Sequence, residues 1–121
     1  MANNKAFRVK NGLLAGRYLG SNGAVTTGSG TASLDLSTGN TFSFTPSGAT
    51  TVSFTNAPAS GTAVGFTVEI NGDGSAITWP SSIKWPSGTA PVATASKELY
   101  AFVTTDGGTS YVGKKAAGDI A

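Results

Sequence analysis

Cysteine and histidine are both absent from this chain of 121 residues, and aspartate and glutamate together number only six. The absence of cysteine and histidine excludes disulfides, thiolate or imidazole metal sites, and catalysis by a Cys or His nucleophile or base. No carboxylate pair replaces them, because Glu69 falls on the polar face of a predicted strand and Glu98 stands beside Lys97 at the start of another. We therefore predict that the protein is not an enzyme and uses no metal or cofactor.

Long apolar runs and helical periodicity are missing as well. No apolar run approaches the roughly 20 residues that span a bilayer, so no membrane partner is predicted. No window of about 11 residues keeps apolar positions at helical spacing without an interrupting Gly or Thr. Gly, Thr and Ser instead make up 48 of the 121 residues, which is typical of short strands and turns.

Apolar and polar residues alternate with a period of two, the pattern of half-buried strands. The clearest examples are Ala32–Leu36, Phe42–Phe44, Val52–Phe54 and Val64–Ile70. Turn signals such as Asn-Gly and Asp-Gly separate them, and we predict hairpins that pair 41–45 with 51–55 and 98–104 with 109–113. Residues 99–103 are apolar on both faces and predict a central strand. The expected fold is all-β, a small antiparallel β-sandwich or barrel.

Positive charge is concentrated at the N-terminus. Lys5, Arg8, Lys10 and Arg17 precede the first acidic residue, Asp35. We predict an extended basic arm over residues 1–30 and a β-sandwich or barrel domain over residues 31–121. Nucleic acid is not a predicted partner, because the cations are sparse and not interleaved with aromatic residues. An acidic protein surface suits this arm better.

Two Trp-Pro pairs are the most specific local feature, Trp79-Pro80 and Trp85-Pro86. Each proline stops a strand ladder, and each tryptophan brings a large apolar area with one donor. Packing against a thin core is the preferred interpretation, since few other residues are large enough to fill one. The alternative is a surface contact with a glycan or a protein.

The loop that runs from Asn71 to Ser75 begins like a calcium-binding loop. Its twelfth position is Ser82, where such a loop requires a bidentate glutamate. We predict a hairpin turn here, because Asn-Gly and Asp-Gly adopt positive φ at little cost.

Two stretches carry a resemblance to known proteins. Ile77–Pro91 (ITWPSSIKWPSGTAP) and Lys97–Tyr111 (KELYAFVTTDGGTSY) resemble a β module of virion proteins from tailed bacteriophages, marine cyanophages especially. Asn4–Leu13 (NKAFRVKNGL) resembles the start of such structural proteins. The module also occurs in tail-fibre-like proteins, where it is one part of a longer chain with a stalk that this sequence does not show.

The resemblance implies a virion protein, and the small size and basic arm favour a capsid decoration (cement) protein made in the host cytoplasm. Proteins of that kind bind the outer capsid surface as trimers, so the expected partners are the major capsid protein and two further copies of this chain. The expected arm contacts are Lys5, Phe7, Arg8, Val9, Lys10 and Arg17. The alternatives are a tail or tail-fibre component that contacts the host surface, and a carbohydrate-binding module that stacks sugars on Trp79, Trp85 and Tyr100. A host glycan is a partner only under those alternatives.

Overall fold

The computed structural model describes residues 10–17 and 19–120, which fold into two β-sheets around one core. In this part of the chain the strands are β1 Ala24–Gly28, β2 Thr31–Asp35, β3 Thr41–Phe44, β4 Thr50–Thr55, β5 Val64–Asn71, β6 Ile77–Thr78, β7 Ile83–Lys84, β8 Lys97–Thr104 and β9 Tyr111–Ile120. One 3₁₀ turn, Pro86–Gly88, follows β7. The predicted all-β class is confirmed.

The two sheets are mixed rather than purely antiparallel. One has the order β1-β2-β4-β6 and the other β3-β5-β8-β9-β7. The pairs β2–β4, β4–β6, β3–β5 and β7–β9 are parallel, whereas β1–β2, β5–β8 and β8–β9 are antiparallel. Parallel neighbours arise because successive strands from β2 to β7 alternate between the two sheets.

The predicted hairpin of 41–45 with 51–55 is wrong for the same reason. β3 and β4 lie in different sheets, and the short connection between them leads from one sheet to the other. Phe42 and Phe44 on β3 and Val52 on β4 are all buried in the one hydrophobic cluster. The two strands therefore present their apolar sides to each other across the sandwich, and the backbone of each pairs elsewhere.

The second predicted hairpin, 98–104 with 109–113, is confirmed by the antiparallel pairing of β8 with β9. Asp106 organises its turn, since its carboxylate accepts hydrogen bonds from the Ser110 amide (2.9 Å) and the Ser110 hydroxyl (2.7 Å). These bonds hold the pKa of Asp106 below its ordinary value. Gly107 and Gly108 continue the turn at φ 72° and 82°, a conformation that suits glycine.

The first strand begins earlier than the sequence indicates. β1 pairs with β2 along its whole length, from Ala24 opposite Asp35 to Gly28 opposite Thr31. Residues 24–28 therefore belong to the sheet and not to the arm predicted over 1–30. Val25 is the one large apolar residue in this strand. The strand therefore lacks the apolar–polar alternation from which the other strands are predicted.

A cluster of aromatic rings fills the centre of the sandwich. Phe66 of β5 lies 5.0 Å from Phe54 of the opposite sheet and 5.4 Å from Phe102 of β8, measured between ring centroids. Phe42 and Tyr111 complete the shell around Phe66 at 5.9 and 6.1 Å. Phe54 also contacts Phe102 and Tyr111, so its ring joins the four-stranded sheet to the rings of the other sheet.

β8 occupies the middle of the five-stranded sheet, between β5 and β9, as its apolar faces predict. Tyr100 and Phe102 point into the core and are buried. Leu99, Ala101 and Val103 alternate with them and lie on the outer face, where they are half-buried or exposed.

The turn after β5 is a corner between sheets, not the predicted hairpin. It leads from β5 into β6, which belongs to the other sheet. Asp73 accepts a hydrogen bond from the Ser75 amide at 2.9 Å. The Gly72 amide donates to the Ser96 carbonyl at 3.2 Å, so this corner lies against the backbone that precedes β8.

Replacing Gly72 with Ala is expected to destabilise the fold by about 1–3 kcal/mol, because the added atom has no space. A Cβ at Gly72 would lie 2.6 Å from the Ser96 carbonyl oxygen and closer still to that of Thr94. Urea denaturation measures the loss. Gly65→Ala, within β5, is the matched control, since its Cβ would meet nothing nearer than 3.8 Å. Equal losses in the two variants would contradict the steric argument.

Candidate partner-binding surfaces

The described residues between 10 and 20, which are 10–17, 19 and 20, lie outside both sheets and are called here the N-terminal segment. All of its described residues are exposed. Leu13, Leu14 and Leu19 expose 75%, 99% and 74% of their surface. Burying a leucine side chain is worth about 1.5–3 kcal/mol. The segment would therefore gain free energy if a partner covered these exposed leucines.

Two of the predicted arm cations lie on this segment, Lys10 and Arg17, and both are exposed. The other predicted arm contacts, Lys5, Phe7, Arg8 and Val9, fall outside the described residues and stay predictions. The sequence reasoning missed the leucines. They could have been identified as large apolar residues that lie outside every alternating pattern of the sequence.

A second exposed apolar surface runs along the outer face of β8 and β9 in the five-stranded sheet. We call it the outer stripe, and it consists of Leu99, Ala101, Val103, Val112 and Ala117. Val103 lies opposite Val112, and Leu99 lies opposite Ala117. Val112 is 61% exposed, on a face that is ordinarily polar in a solvated sheet.

Charged residues border the outer stripe. Lys97 and Glu69 form an ion pair at 3.5 Å between Nζ and Oε1, with both side chains substantially exposed. Lys114 is also exposed on this face, opposite Ala101 and between Val112 and Ala117. Apolar residues with charged groups beside them are a usual composition of a protein–protein interface.

Trp79 belongs to the core. It is buried, and its ring lies 4.8 Å from that of Tyr100 and 5.3 Å from that of Phe102. Trp85 is half-buried and packs against Trp79 at 5.6 Å. The geometry therefore favours the packing interpretation for Trp79 and leaves only an edge of Trp85 at the surface. The Trp79 indole N–H is buried with no hydrogen-bond partner among the described residues.

The sequence gives no sign of an ion pair at Glu98, the most deeply buried charged side chain of the described part. Glu98 is fully buried beneath β9. Its Oε2 forms an ion pair with the Lys115 ammonium group, and its Oε1 accepts hydrogen bonds from the Tyr100 hydroxyl at 3.2 Å and the Thr94 amide at 3.4 Å. Burial, followed by the Glu98 carboxylate, raises the pKa of Tyr100.

This cluster is suited to a structural role. Glu98 and Tyr100 lie on β8, and Lys115 lies on β9 opposite Tyr100. The ion pair thus ties the two strands together just before β9 becomes irregular, where the pairing register shifts between Leu99 and Tyr100. Glu98 is inaccessible to solvent, so it cannot act on a substrate in this arrangement.

A cleft of about 240 Å³ opens between the β1–β2 turn and the β3–β4 connection. Gly, Ser, Thr, Ala, Pro and one Phe line it, and no titratable side chain is among them. Across the described residues, His, Cys, Asp and Glu do not gather in a group that could hold a metal ion. The same residues contain no helix long and apolar enough to cross a membrane.

No protein-family model, curated protein or solved structure matches this chain.

Proposed function

We propose that the protein is a virion structural protein of a tailed bacteriophage that decorates the outer capsid shell. The N-terminal arm binds the major capsid protein, and the β domain forms a homotrimer. The main supporting observation is the N-terminal segment, where three exposed leucines stand beside two exposed cations in front of a rigid sandwich. The resemblance of residues 77–91 and 97–111 to phage virion modules supports placement in the virion.

The arm supplies two kinds of binding energy. Burial of Leu13, Leu14 and Leu19 on a partner is worth about 1.5–3 kcal/mol for each side chain, less the cost of ordering the segment. Lys10 and Arg17 attract an acidic surface and speed the encounter, and no acidic residue before Asp35 opposes them. The capsid groove that accepts the arm is accordingly apolar, with carboxylates at its rim.

The outer stripe suits the contact between copies. Its exposed pair, Val103 and Val112, lies on a regular part of the sheet where the two strands are in register. Three copies can close a ring through such a face if each uses it against a neighbouring patch of the next copy. A trimer that presents three arms gains avidity for a shell with three-fold sites.

Decoration of this kind stabilises the shell by mass action. A protein that binds the assembled shell and not its free subunits shifts the equilibrium toward assembly. No catalytic chemistry is required, which agrees with the purely structural use of Glu98 and Lys115 in the fold.

Deletion of residues 2–20 is expected to lower binding to shells at least 100-fold and to leave the sandwich folded. The deletion stops before Asn22, which bridges Thr41 of β3. Co-sedimentation with shells assembled from the major capsid protein of the same phage measures binding, and thermal melting checks the fold. Full-occupancy decoration by the truncated protein would overturn the proposal.

Two matched sets of substitutions separate the apolar and charged contributions of the segment. Leu13→Ser, Leu14→Ser and Leu19→Ser together should abolish binding at any salt concentration. Lys10→Gln with Arg17→Gln should weaken binding mainly at low salt, because screening already reduces exposed charge attraction at high salt.

Copy number per virion distinguishes the shell from the tail. Quantitative mass spectrometry against the major capsid protein should give a ratio typical of a shell protein, amounting to hundreds of copies. Tens of copies or fewer would favour the second candidate, a tail or tail-fibre component, for which the partly exposed edge of Trp85 is the available contact. The carbohydrate-binding alternative loses support, because Trp79 and Tyr100 are buried.

A further inference from the structure

The sheet edges of this protein differ in how well they are protected from pairing with another chain. Unpaired edges are templates for intermolecular strands, and proteins usually blunt them with charge, proline, bulges or short length. β6 and β7 are edges of only two residues each. The edge of β3 is partly covered, because Asn22 bridges Thr41 and the Gly23 amide donates to the Thr41 carbonyl at 2.7 Å.

The edge of β9 beyond β7 is protected in a different way. β7 pairs only with Tyr111 and Val112, which leaves residues 113–120 without a strand on that side in the described structure. This stretch carries Lys114 and Lys115, two register shifts interrupt its pairing with β8, and Asp119 adopts φ 51°. Charge and irregular backbone both oppose the addition of another strand.

β1 has none of these protections. Its sequence, Ala-Val-Thr-Thr-Gly, contains no charge and no proline, and its register with β2 is unbroken over all five residues. Every residue of β1 except Val25 is exposed. Among the outermost strands of the two sheets that the structure describes, β1, β3, β6 and β7, β1 is thus the longest and the one that lacks protection.

The direction of the β1 amides can be read from one hydrogen bond. The Ala24 amide donates to the Thr38 hydroxyl at 2.7 Å, and that hydroxyl donates to the Asp35 carbonyl at the end of β2. The Ala24 amide therefore points toward the β2 side. Because alternate residues of a strand direct their amides to opposite sides, Val25 and Thr27 present theirs to the open edge.

We propose that the edge of β1 accepts an extended, acidic segment of the partner protein as an added strand. This inference rests on the proposed function and names the element of the domain that the shell protein contacts. Only residues 21–23 separate the N-terminal segment from β1, so one partner can contact both the segment and the edge. Main-chain hydrogen bonds at Val25 and Thr27 supply affinity and register.

Charge selects a foreign strand over a second copy. A second copy of β1 carries no carboxylate that could pair with the exposed Lys10 and Arg17 of the N-terminal segment. No acidic residue precedes Asp35, and the Asp35 carboxylate is already engaged by Ser37 and Asn56. A partner strand that carries carboxylates neutralises this charge instead.

Hydrogen exchange followed by NMR tests the edge without any shell. The probe is a synthetic blocked peptide of alternating glutamate and valine, with a lysine–valine peptide as its charge control. Excess acidic peptide should slow exchange of the Val25 and Thr27 amides at least tenfold and leave Thr26, already directed toward β2, unchanged. No slowing at Val25 and Thr27, or equal slowing by the lysine peptide, would overturn the proposal. Concentration-dependent protection without peptide would instead identify a second copy as the occupant.

Thr27→Pro removes one edge amide and keeps the ladder to β2, because the Thr27 amide points away from β2. Ser29→Pro is the matched control, since Ser29 is the first loop residue of the β1–β2 turn and precedes Gly30 at φ 74°, a position that tolerates proline. Thermal melting should show both variants folded. Thr27→Pro should lose the peptide effect and bind shells at least tenfold more weakly, whereas Ser29→Pro keeps both.

The outcomes separate the two proposals. If the wild-type protein binds shells and both proline variants bind equally well, the edge inference fails and the decoration function stands. If shells are not bound but the acidic peptide protects Val25 and Thr27, the function fails and the edge remains a strand-accepting site.

Discussion

Replacing Lys115 with Met is expected to lower the free energy of unfolding by about 3–5 kcal/mol, a large part of the stability of a small domain. The Lys115 ammonium group is the counter-charge of Glu98, whose side chain is fully buried. Without Lys115, a buried carboxylate keeps only the hydrogen bonds from Tyr100 and Thr94. Lys115 is itself 26% exposed, so entry of water beside Glu98 places the loss toward the lower end of this range.

The neighbouring lysine provides the control. Lys114 is exposed on the opposite side of β9, and Lys114→Met should change stability by less than about 0.5 kcal/mol. Glu98→Gln combined with Lys115→Met should recover much of the loss, because the buried group is then neutral. Urea denaturation of the four proteins forms the comparison. Equal stability of Lys114→Met and Lys115→Met would contradict the assigned role of the ion pair.

Replacing Phe66 with Ala should cost about 3–5 kcal/mol, because a large cavity opens at the point where the two sheets meet. Phe66 contacts Phe54 of the opposite sheet and Phe42, Phe102 and Tyr111 of its own. The edge-to-face contacts of the Phe66 ring stabilise the fold beyond the contribution of the buried apolar area. Denaturation and the near-ultraviolet circular dichroism of the aromatic rings report the change.

A smaller substitution at the same site separates volume from ring geometry. Phe66→Leu retains most of the apolar volume and should lose less than half as much stability as Phe66→Ala. If Phe66→Ala costs under about 1 kcal/mol, the site collapses easily and the ring cluster is not what joins the sheets.

The positions of the longer strands could be predicted from the sequence, but their neighbours could not. The alternation over Val64–Ile70 corresponds closely to β5, Val64–Asn71, because a half-buried strand requires that period. Alternation says nothing of which strand lies alongside. Phe42, Phe44 and Val52 fit a hairpin as well as they fit two strands that face each other across a core, and the structure has the second arrangement.

The exposed cations of the N-terminal segment could be predicted from the sequence, but its exposed leucines could not. Lys10 and Arg17 are exposed, as a basic arm requires, whereas the exposed Leu13 and Leu14 follow no strand pattern and went unnoticed. The burial of Glu98 could not be predicted from the sequence, because both faces of β8 carry apolar residues and the pattern does not show which face is buried. Only the packing of the other sheet decides that Tyr100, Phe102 and Glu98 face inward.

The alternation of successive strands between the two sheets, from β2 to β7, has a consequence for folding. Neither sheet is a continuous piece of chain, so neither can assemble before the other, and many native contacts are distant in sequence. Folding is then expected to be slow compared with that of helical domains of similar size. Unfolding is also expected to be all-or-none, because local opening of one sheet removes strands that the other requires. A domain built in this way has few partly open forms for a protease to attack.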